Sequence, residues 1–229
     1  MVLITGARKG IGKCLVEHYG AKGFDVIGCS RQPAAFEGIQ YEHFCVDIAN
    51  ESAVQQMFSE IRKKHGPLAI LLNNAGIAST NHVLLTPLQA VQNLMNTNVV
   101  GNFLLCREAA KIMARQKYGR IVNFASIATP LRLEGEAIYA ASKAAVISLT
   151  QVMAREFACF NITVNAVGPT PIQTDFIKDV PESKIKKILE RQAIPRLGEF
   201  ADILNVVDFF IRPESSFITG QTIFLGGVS

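Results

Sequence analysis

The stretch that decides the fold is V-L-I-T-G-A-R-K-G-I-G, residues 2–12 of the 229-residue chain. Its first four residues form a short apolar run of the kind that fills a buried parallel strand. Gly6, Gly10 and Gly12 follow at once, in a spacing that differs by one residue from G-x-G-x-x-G. Glycine allows a tight turn and lets a phosphate approach the amides at the start of a helix, here predicted from Ile11. The stretch predicts a strand, a phosphate-binding turn and a helix, although a purely structural turn would use the same glycines.

Short apolar runs alternate with longer amphipathic stretches along the rest of the chain, which is typical of βαβ units around a parallel sheet. Strands are predicted at residues 2–5, 24–29, 41–46, 68–72, 121–125, 162–166 and 222–225. Helices are predicted at residues 11–21, 52–65, 87–116, 137–160, 182–190 and 201–211, with Thr86 capping the third and Pro87 in its first turn. The pattern predicts an α/β fold with a doubly wound, seven-stranded sheet.

The length favours a single domain over residues 1–229, because one core can grow to about 250 residues before chains tend to divide. The irregular stretch 167–196 follows a predicted strand and carries four of the nine prolines. We expect this stretch to cover a substrate, and a long surface connection is the alternative.

Composition excludes several classes of protein. Uninterrupted apolar runs fall far short of the ~18 residues that span a bilayer, and the amino terminus lacks the features of a signal peptide, so we expect a cytoplasmic protein without a membrane partner. The five cysteines and four histidines are scattered without ligand spacing, so no metal site is expected. The net charge of +4 is spread along the chain, which argues against a nucleic-acid partner.

The charge pattern beyond the second predicted strand favours NADP(H) over NAD(H). About 20 residues after the glycines, an NAD-binding unit places an acidic residue on the adenosine ribose. Ser30 and Arg31 occupy that place here, and the Arg31 guanidinium could make a bidentate contact with a 2′-phosphate. Arg8 and Lys9 add positive charge within the glycine turn.

A second pattern points to acid–base chemistry. Tyr139 and Lys143 lie four residues apart in a predicted helix, so their side chains share one face. A neighbouring ammonium favours the ionised phenol, and we therefore expect Lys143 to lower the pKa of Tyr139. Tyr139 would exchange a proton with a carbonyl oxygen, which Ser126 would hold after the preceding strand. Tyr and Lys at this spacing also occur by chance in many helices, so the pattern gains weight only beside the glycine turn.

Taken together, these motifs resemble the single-domain short-chain dehydrogenase/reductases over essentially the whole chain. The resemblance is carried by Thr5-Gly6-x-x-x-Gly10-Ile11-Gly12, Asn73-Asn74-Ala75-Gly76, Asn98, Ser126, Tyr139-x-x-x-Lys143, Asn165-x-x-x-Pro169 and Thr219-Gly220-Gln221. It implies a three-layer Rossmann fold with strand order 3-2-1-4-5-6-7 and hydride transfer between NADP(H) and a carbonyl or alcohol. It also implies that Asn98, Ser126, Tyr139 and Lys143 form a catalytic tetrad, with Asn98 anchoring a water in a proton relay.

The resemblance extends to the cofactor contacts. It implies that Asp47 and Ile48 meet the adenine, and that Asn74, Ala75 and Gly76 line the groove. Beside the nicotinamide it points to Gly168, Pro169, Ile172 and Thr174, together with Tyr139 and Lys143. Local turn formation is the alternative for the residues of these loops.

Two departures from the family pattern bear on the nicotinamide and the substrate. Thr170 stands where a glycine commonly follows Pro169, so the backbone beside the nicotinamide could differ. The chain is similar to 3-oxoacyl-carrier-protein reductases, whose acidic partner meets basic residues near the site. Arg120 matches one such position, whereas Phe160 occupies the other. Carrier-bound substrates are therefore less favoured than free ketones, sugar-like compounds or other small carbonyls.

Other classes explain less of the sequence. A non-catalytic NADP-binding sensor or partner protein would not need the Ser, Tyr and Lys set, and a nucleotide-dependent methyltransferase would not explain Tyr139 and Lys143. An extended epimerase or dehydratase would need a larger carboxyl-terminal region. The apolar helices 87–116 and 137–160 indicate a homodimer or homotetramer, as in the family.

Overall fold

The computed structural model describes residues 1–173 and 181–228. Seven strands form one sheet in the order β3-β2-β1-β4-β5-β6-β7, and every neighbouring pair is parallel. The strands are β1 (Val2–Thr5), β2 (Val26–Ser30), β3 (Tyr41–Cys45), β4 (Ile70–Asn73), β5 (Gly119–Phe124), β6 (Ile162–Gly168) and β7 (Thr222–Phe224). The predicted doubly wound sheet and its strand order are confirmed.

Helices cover both faces of this sheet. They are α1 (Gly10–Ala21), α2 (Glu51–Lys64), α3 (Leu88–Met95), α4 (Asn102–Gln116), α5 (Ala128–Leu131), α6 (Ala137–Phe157), α7 (Glu182–Leu189) and α8 (Phe200–Ile211). Short 3₁₀ helices lie at Val83–Leu85, Ala158–Phe160 and Pro213–Ser215. Most boundaries fall within a residue or two of those that the apolar pattern predicts.

Alternation along β1 shows why the sheet is buried on both sides. Leu3 packs into the core that α2, α4 and α6 share, whereas Val2 and Ile4 pack into the core beneath α1 and α8. All three side chains are fully buried. Because successive strand residues point to opposite faces, a continuous apolar run is what a parallel strand with helices on both sides requires.

The predicted helix 87–116 is not continuous. A π-helical turn, Asn96–Gly101, separates α3 from α4, and Pro87 stands at the amino-terminal cap position of α3. The predicted Thr86 cap is wrong, because α3 begins at Leu88 with Pro87 as its N-cap and has no side-chain cap; the Thr86 hydroxyl instead donates to the His82 carbonyl at 3.0 Å. A Cβ at Gly101 would lie 2.8 Å from Cγ1 of Ile48, so the turn packs closely against the residue after β3. π-helical turns are frequent at functional sites.

One helical stretch in the described part of the chain, Ala137–Phe160, is long and apolar enough to cross a membrane by length and composition alone. In this fold α6 packs along β6 and against β5 and α4. Its buried side chains include polar ones, Ser142, Lys143 and Thr150, which take part in the hydrogen bonds described below.

The stretch after β6 is joined at two points to the segment between α7 and α8. Ile172 forms a parallel bridge with Gly198, and the Thr170 hydroxyl donates a hydrogen bond to the Gln192 side chain. Thr170 has no left-handed backbone, so the loss of glycine there is accommodated by an ordinary conformation. Thr174 lies outside the described residues, as do residues 175–180.

Candidate active site

The glycine turn connects the carboxyl end of β1 to α1. Gly6 and Gly10 adopt positive φ angles of 67° and 56°, which favour glycine. A Cβ at Gly12 would lie 2.1 Å from the Gly6 carbonyl oxygen, so the turn can close only around a glycine. Within the described chain no side chain caps α1, whose first N–H groups therefore stay available to an anion.

The segment after β4 packs against the glycine turn, and residues 6–12 and 74–76 together form the cradle. Asn74 Nδ2 donates to the Thr5 carbonyl at 3.0 Å, and the Ala75 amide donates to the Thr5 hydroxyl at 2.9 Å. A Cβ at Gly12 would also lie 2.8 Å from Asn74 Nδ2. Thr5 thus joins the glycine turn to Asn74-Ala75, so the loops at the carboxyl ends of β1 and β4 lie against each other.

Basic residues follow the carboxyl ends of β1 and β2, which are neighbouring parallel strands. Arg8, Lys9 and Arg31 are exposed, and Ser30 is half-buried at the end of β2. A cavity of about 310 Å³ opens between α1 and the segment after β2, and its wall includes Arg8 and Lys13 but also two carboxylates. Lys13 was not predicted from the sequence as a site residue.

The two residues expected at the adenine are placed differently from each other. Asp47 is exposed, and its carboxylate accepts from the Ala49 amide at 3.0 Å, while Asn50 caps α2. The Ile48 side chain is buried in the core against Gly101. A contact between Ile48 and a ligand would therefore come from its backbone.

Asn98 lies in the π-helical turn and is 2% exposed. Its Oδ1 accepts from the Ile77 amide at 2.8 Å, and its Nδ2 donates to the Ile77 carbonyl at 2.9 Å and to the Ser142 hydroxyl at 3.0 Å. Ser142 in turn donates to the Tyr139 carbonyl at 2.7 Å. The amide group therefore connects the segment after β4 to the first turns of α6.

Tyr139 and Lys143 meet at the carboxyl ends of β4 and β5. Lys143 Nζ lies 5.9 Å from the Tyr139 ring centroid and donates to the Phe124 carbonyl at 2.7 Å. A Cβ at Gly76 would lie 3.4 Å from Lys143 Nζ and 3.3 Å from Asn98 Oδ1. The fold thus brings these side chains to the same place, beside Gly76.

Burial sets the ionisation of the tyrosine and the lysine. It raises the pKa of Tyr139 to about 12; hydrogen bonding with Ser126 lowers that pKa, and the Glu136 carboxylate raises it further. Burial lowers the pKa of Lys143 to about 8. The predicted lowering of the Tyr139 pKa by Lys143 is therefore not found in this structure, because desolvation penalises both charged forms.

The loop after β6 completes the described surroundings. The Ile127 amide, next to Ser126, donates to the Pro169 carbonyl at 3.3 Å. Ile172 is 5% exposed and packs beneath the loop, and a Cβ at Gly168 would lie 2.3 Å from the Phe224 ring. Pro169 is therefore near Ser126, whereas the Ile172 side chain belongs to the core.

Arg120 does not lie at the mouth of the site. It is 1% exposed at the beginning of β5, at the opposite end of the strand from Ser126. Its guanidinium stacks 4.5 Å from the Tyr118 ring centroid and donates to the Gly119 carbonyl. The expectation that Arg120 could meet an acidic carrier is wrong, because the side chain turns into the core.

Within residues 1–173 and 181–228, no three His, Cys, Asp or Glu side chains converge as a metal site would require. Sequence reasoning missed two polar networks in the same part of the chain. One runs from Thr5 through Asn73, Asn102 and Asn123 to Thr150. The other joins Tyr41 and His43 to the end of β2.

A doubly wound parallel sheet with a glycine turn after its first strand defines the class of Rossmann-fold proteins. The sequence profile described as "short chain dehydrogenase" matches residues 1–185. The chain therefore belongs to the short-chain dehydrogenase family and is an oxidoreductase of that family.

Individual relatives cover nearly the whole chain. The 3-oxoacyl-[acyl-carrier-protein] reductase FabG of Vibrio cholerae is 32% identical over 99% of this chain and 96% of its own length. The solved structure of ElxO with NADP bound has a TM-score of 0.89 and 31% identity, over 98% of this chain and 96% of that one. A 4-hydroxyisoleucine dehydrogenase complexed with NADH and succinate has a TM-score of 0.91 and 29% identity, over 99% and 98%.

Proposed function

We propose that this chain is an NADP(H)-dependent reductase that converts a ketone or another small carbonyl to an alcohol, with Tyr139 as its acid/base. The observation that carries the proposal is the convergence of Tyr139, Lys143 and Asn98 beside Gly76, in the same loop whose Asn74 packs on Gly12 of the glycine turn. The glycine turn can close only with glycine at position 12, and it lies at the start of an uncapped helix. Such a helix start suits the pyrophosphate of a dinucleotide.

Tyr139, Ser126 and Lys143 have separate roles in the proposed reaction. When bound, the nicotinamide supplies or accepts the hydride. Tyr139 donates the proton to the carbonyl oxygen, and its raised pKa keeps that proton in place near neutral pH. Ser126 holds the same oxygen through its hydroxyl. The Lys143 ammonium, one helical turn away, stabilises the phenolate that the transfer leaves.

Asn98 has a positioning role in this scheme. Both N–H groups of its side-chain amide donate, to Ile77 and Ser142, and its Oδ1 accepts from Ile77, so it fixes the segment after β4 against α6. A water of the proton relay that the family resemblance implies would then bind the Asn98 main-chain carbonyl.

The preference for NADP(H) rests on Arg31, with Arg8 and Lys9 nearby. A guanidinium can bind a 2′-phosphate bidentately but cannot accept hydrogen bonds from ribose hydroxyls. One solved relative carries NADP and another carries NADH, so the family accommodates either. A lower KM for NADPH than for NADH supports the preference, and a clear NADH preference overturns it.

The substrate is proposed to be free rather than carrier-bound. The FabG relatives are named for carrier-bound substrates. In this chain the buried Arg120 and the apolar, 41% exposed Phe160 give an acidic carrier no cation at the two positions considered.

Consumption of NADPH against a panel of ketones, aldehydes and keto acids tests the function. We expect turnover with at least one carbonyl, and a loss of about 10²- to 10⁴-fold in Tyr139→Phe, which keeps the ring but removes the proton. Tight NADPH binding without turnover across the panel would instead favour the non-catalytic sensor.

We also propose a cytoplasmic homodimer or homotetramer. Val100, Phe103 and Val152 expose 40–50% of their surface on the π-helical turn, α4 and α6, where a second subunit could bury them. Free thiols at all five cysteines fit a reducing compartment. A stable monomer in light scattering at micromolar concentration would contradict the oligomer.

A further inference from the structure

The end of β2 is held by a network that includes none of the predicted site residues except Ser30. Tyr41 Oη lies 2.5 Å from His43 Nδ1, and His43 Nε2 lies 3.0 Å from both the Ser30 hydroxyl and the Gln32 carbonyl oxygen. Ser30 also donates to the Gln32 carbonyl at 2.5 Å. Both neighbours of Arg31 in the chain are therefore bound to one imidazole.

The geometry fixes the tautomer of that imidazole. A carbonyl oxygen can only accept, so Nε2 must carry the proton that reaches Gln32. Nδ1 then has a lone pair, and the Tyr41 hydroxyl donates to it. Burial lowers the pKa of His43, which favours this neutral form.

Gly28 makes room for the network. In the register of the two strands it lies opposite His43, and a Cβ there would be 2.1 Å from the Tyr41 hydroxyl oxygen. Tyr41 also packs edge-to-face on Phe36 at 4.7 Å, and Phe36 lines the cavity that contains Arg8. The network thus lies next to the wall of the cavity that Arg8 also lines.

We propose that His43 is a positioning residue for cofactor specificity: it clamps Ser30 and Gln32 so that Arg31 is presented to the 2′-phosphate of the adenosine. The inference rests on the proposed NADP(H) preference. An exposed arginine on an unrestrained turn must lose conformational freedom when it binds, and a fixed turn reduces that loss.

Calorimetric binding of two nucleotides tests the clamp without any turnover. Adenosine 2′,5′-bisphosphate carries the extra phosphate, and adenosine 5′-monophosphate does not. We expect the wild-type chain to prefer the bisphosphate, and Arg31→Ala to abolish the preference. His43→Leu should reduce it about 5- to 10-fold, as expected for the loss of about one hydrogen bond, with the monophosphate affinity unchanged. His43→Gln, which keeps an N–H near the Nε2 position, should retain most of it.

The double variant gives the decisive comparison. If His43 acts through Arg31, adding His43→Leu to Arg31→Ala should change bisphosphate affinity no further. An equal loss for both nucleotides in His43→Leu would show a merely structural role and overturn the inference. An unchanged preference for the bisphosphate in His43→Leu would also overturn the inference, provided that Arg31→Ala abolishes that preference. A wild-type chain without any preference would instead overturn the proposed NADP(H) specificity, and the clamp with it.

Discussion

Replacing Lys143 by Met should stabilise the fold while it removes activity. Lys143 is 6% exposed, and its ammonium donates to the Phe124 carbonyl rather than to a carboxylate. Burial lowers its pKa from 10.5 to about 8, a difference of 2.5. Burying the ammonium costs stability, and an apolar side chain at this position would not carry that cost.

The magnitude follows from proton linkage. Between pH 8 and 10.5 the unfolded chain binds more protons at this lysine than the folded one, so its destabilising contribution shrinks as pH rises. Below that window it amounts to about 3 kcal/mol, since one pKa unit corresponds to about 1.4 kcal/mol. Losing the hydrogen bond to Phe124 costs about 1 kcal/mol. We therefore expect a net gain of about 2 kcal/mol near neutral pH, or roughly 4–8 °C in Tm.

Denaturant unfolding of the wild type and Lys143→Met at about pH 7 and about pH 10 measures this gain. It should nearly vanish at the higher pH, where the wild-type lysine is already neutral. Lys187→Met, at an exposed position on α7, is the matched control and should change little at either pH. A Met variant that is less stable near neutral pH, or equally stabilised at both, would refute the reasoning.

Two further predictions concern pH and packing. Carbonyl reduction should decline above about pH 8, because Lys143 loses the proton whose charge stabilises the Tyr139 phenolate; initial rates of NADPH oxidation on either side of that pH check this, and a flat profile would contradict it. Gly28→Ala should destabilise the fold by about 1–3 kcal/mol through overlap with the Tyr41 hydroxyl and should weaken bisphosphate binding; unchanged unfolding would show that the close contact is readily relieved.

The sheet could be predicted because its signal is local. Runs such as Val2–Thr5 and Ile162–Gly168 are buried on both faces, and the apolar pattern records that directly. The glycine turn could also be predicted from the sequence, because a side chain at Gly12 would collide with the Gly6 carbonyl, so the turn requires glycine there. The spacing of Tyr139 and Lys143 on one helix needed only the helical period.

The π-helical turn could not be predicted from residues 87–116. Its cause is tertiary: Gly101 packs on Ile48, and Asn98 binds Ile77 and Ser142. None of these contacts changes the apolar periodicity of residues 87–116, from which the helix was predicted. The same limit explains Arg120, which is buried on an interior strand between β4 and β6 with its guanidinium on the Tyr118 ring.

Ionisation was predicted in the wrong direction for a physical reason. Sequence spacing places Lys143 beside Tyr139, but only the fold reveals how strongly both are desolvated. The His43 network had one visible sign, a glycine at position 28 inside a strand, since such a glycine often marks a close approach. Its partners, Tyr41 and Ser30, come from different strands and become neighbours through strand pairing.

Transfer of deuterium from NADPH that carries deuterium at both positions on carbon 4 of the nicotinamide tests the central claim most directly. With a carbonyl substrate found by the panel, mass spectrometry of the product should show one deuterium on the carbinol carbon. Tyr139→Phe should still bind the cofactor but yield almost no labelled product. Product without deuterium, or full labelling by the Phe variant, would contradict the account.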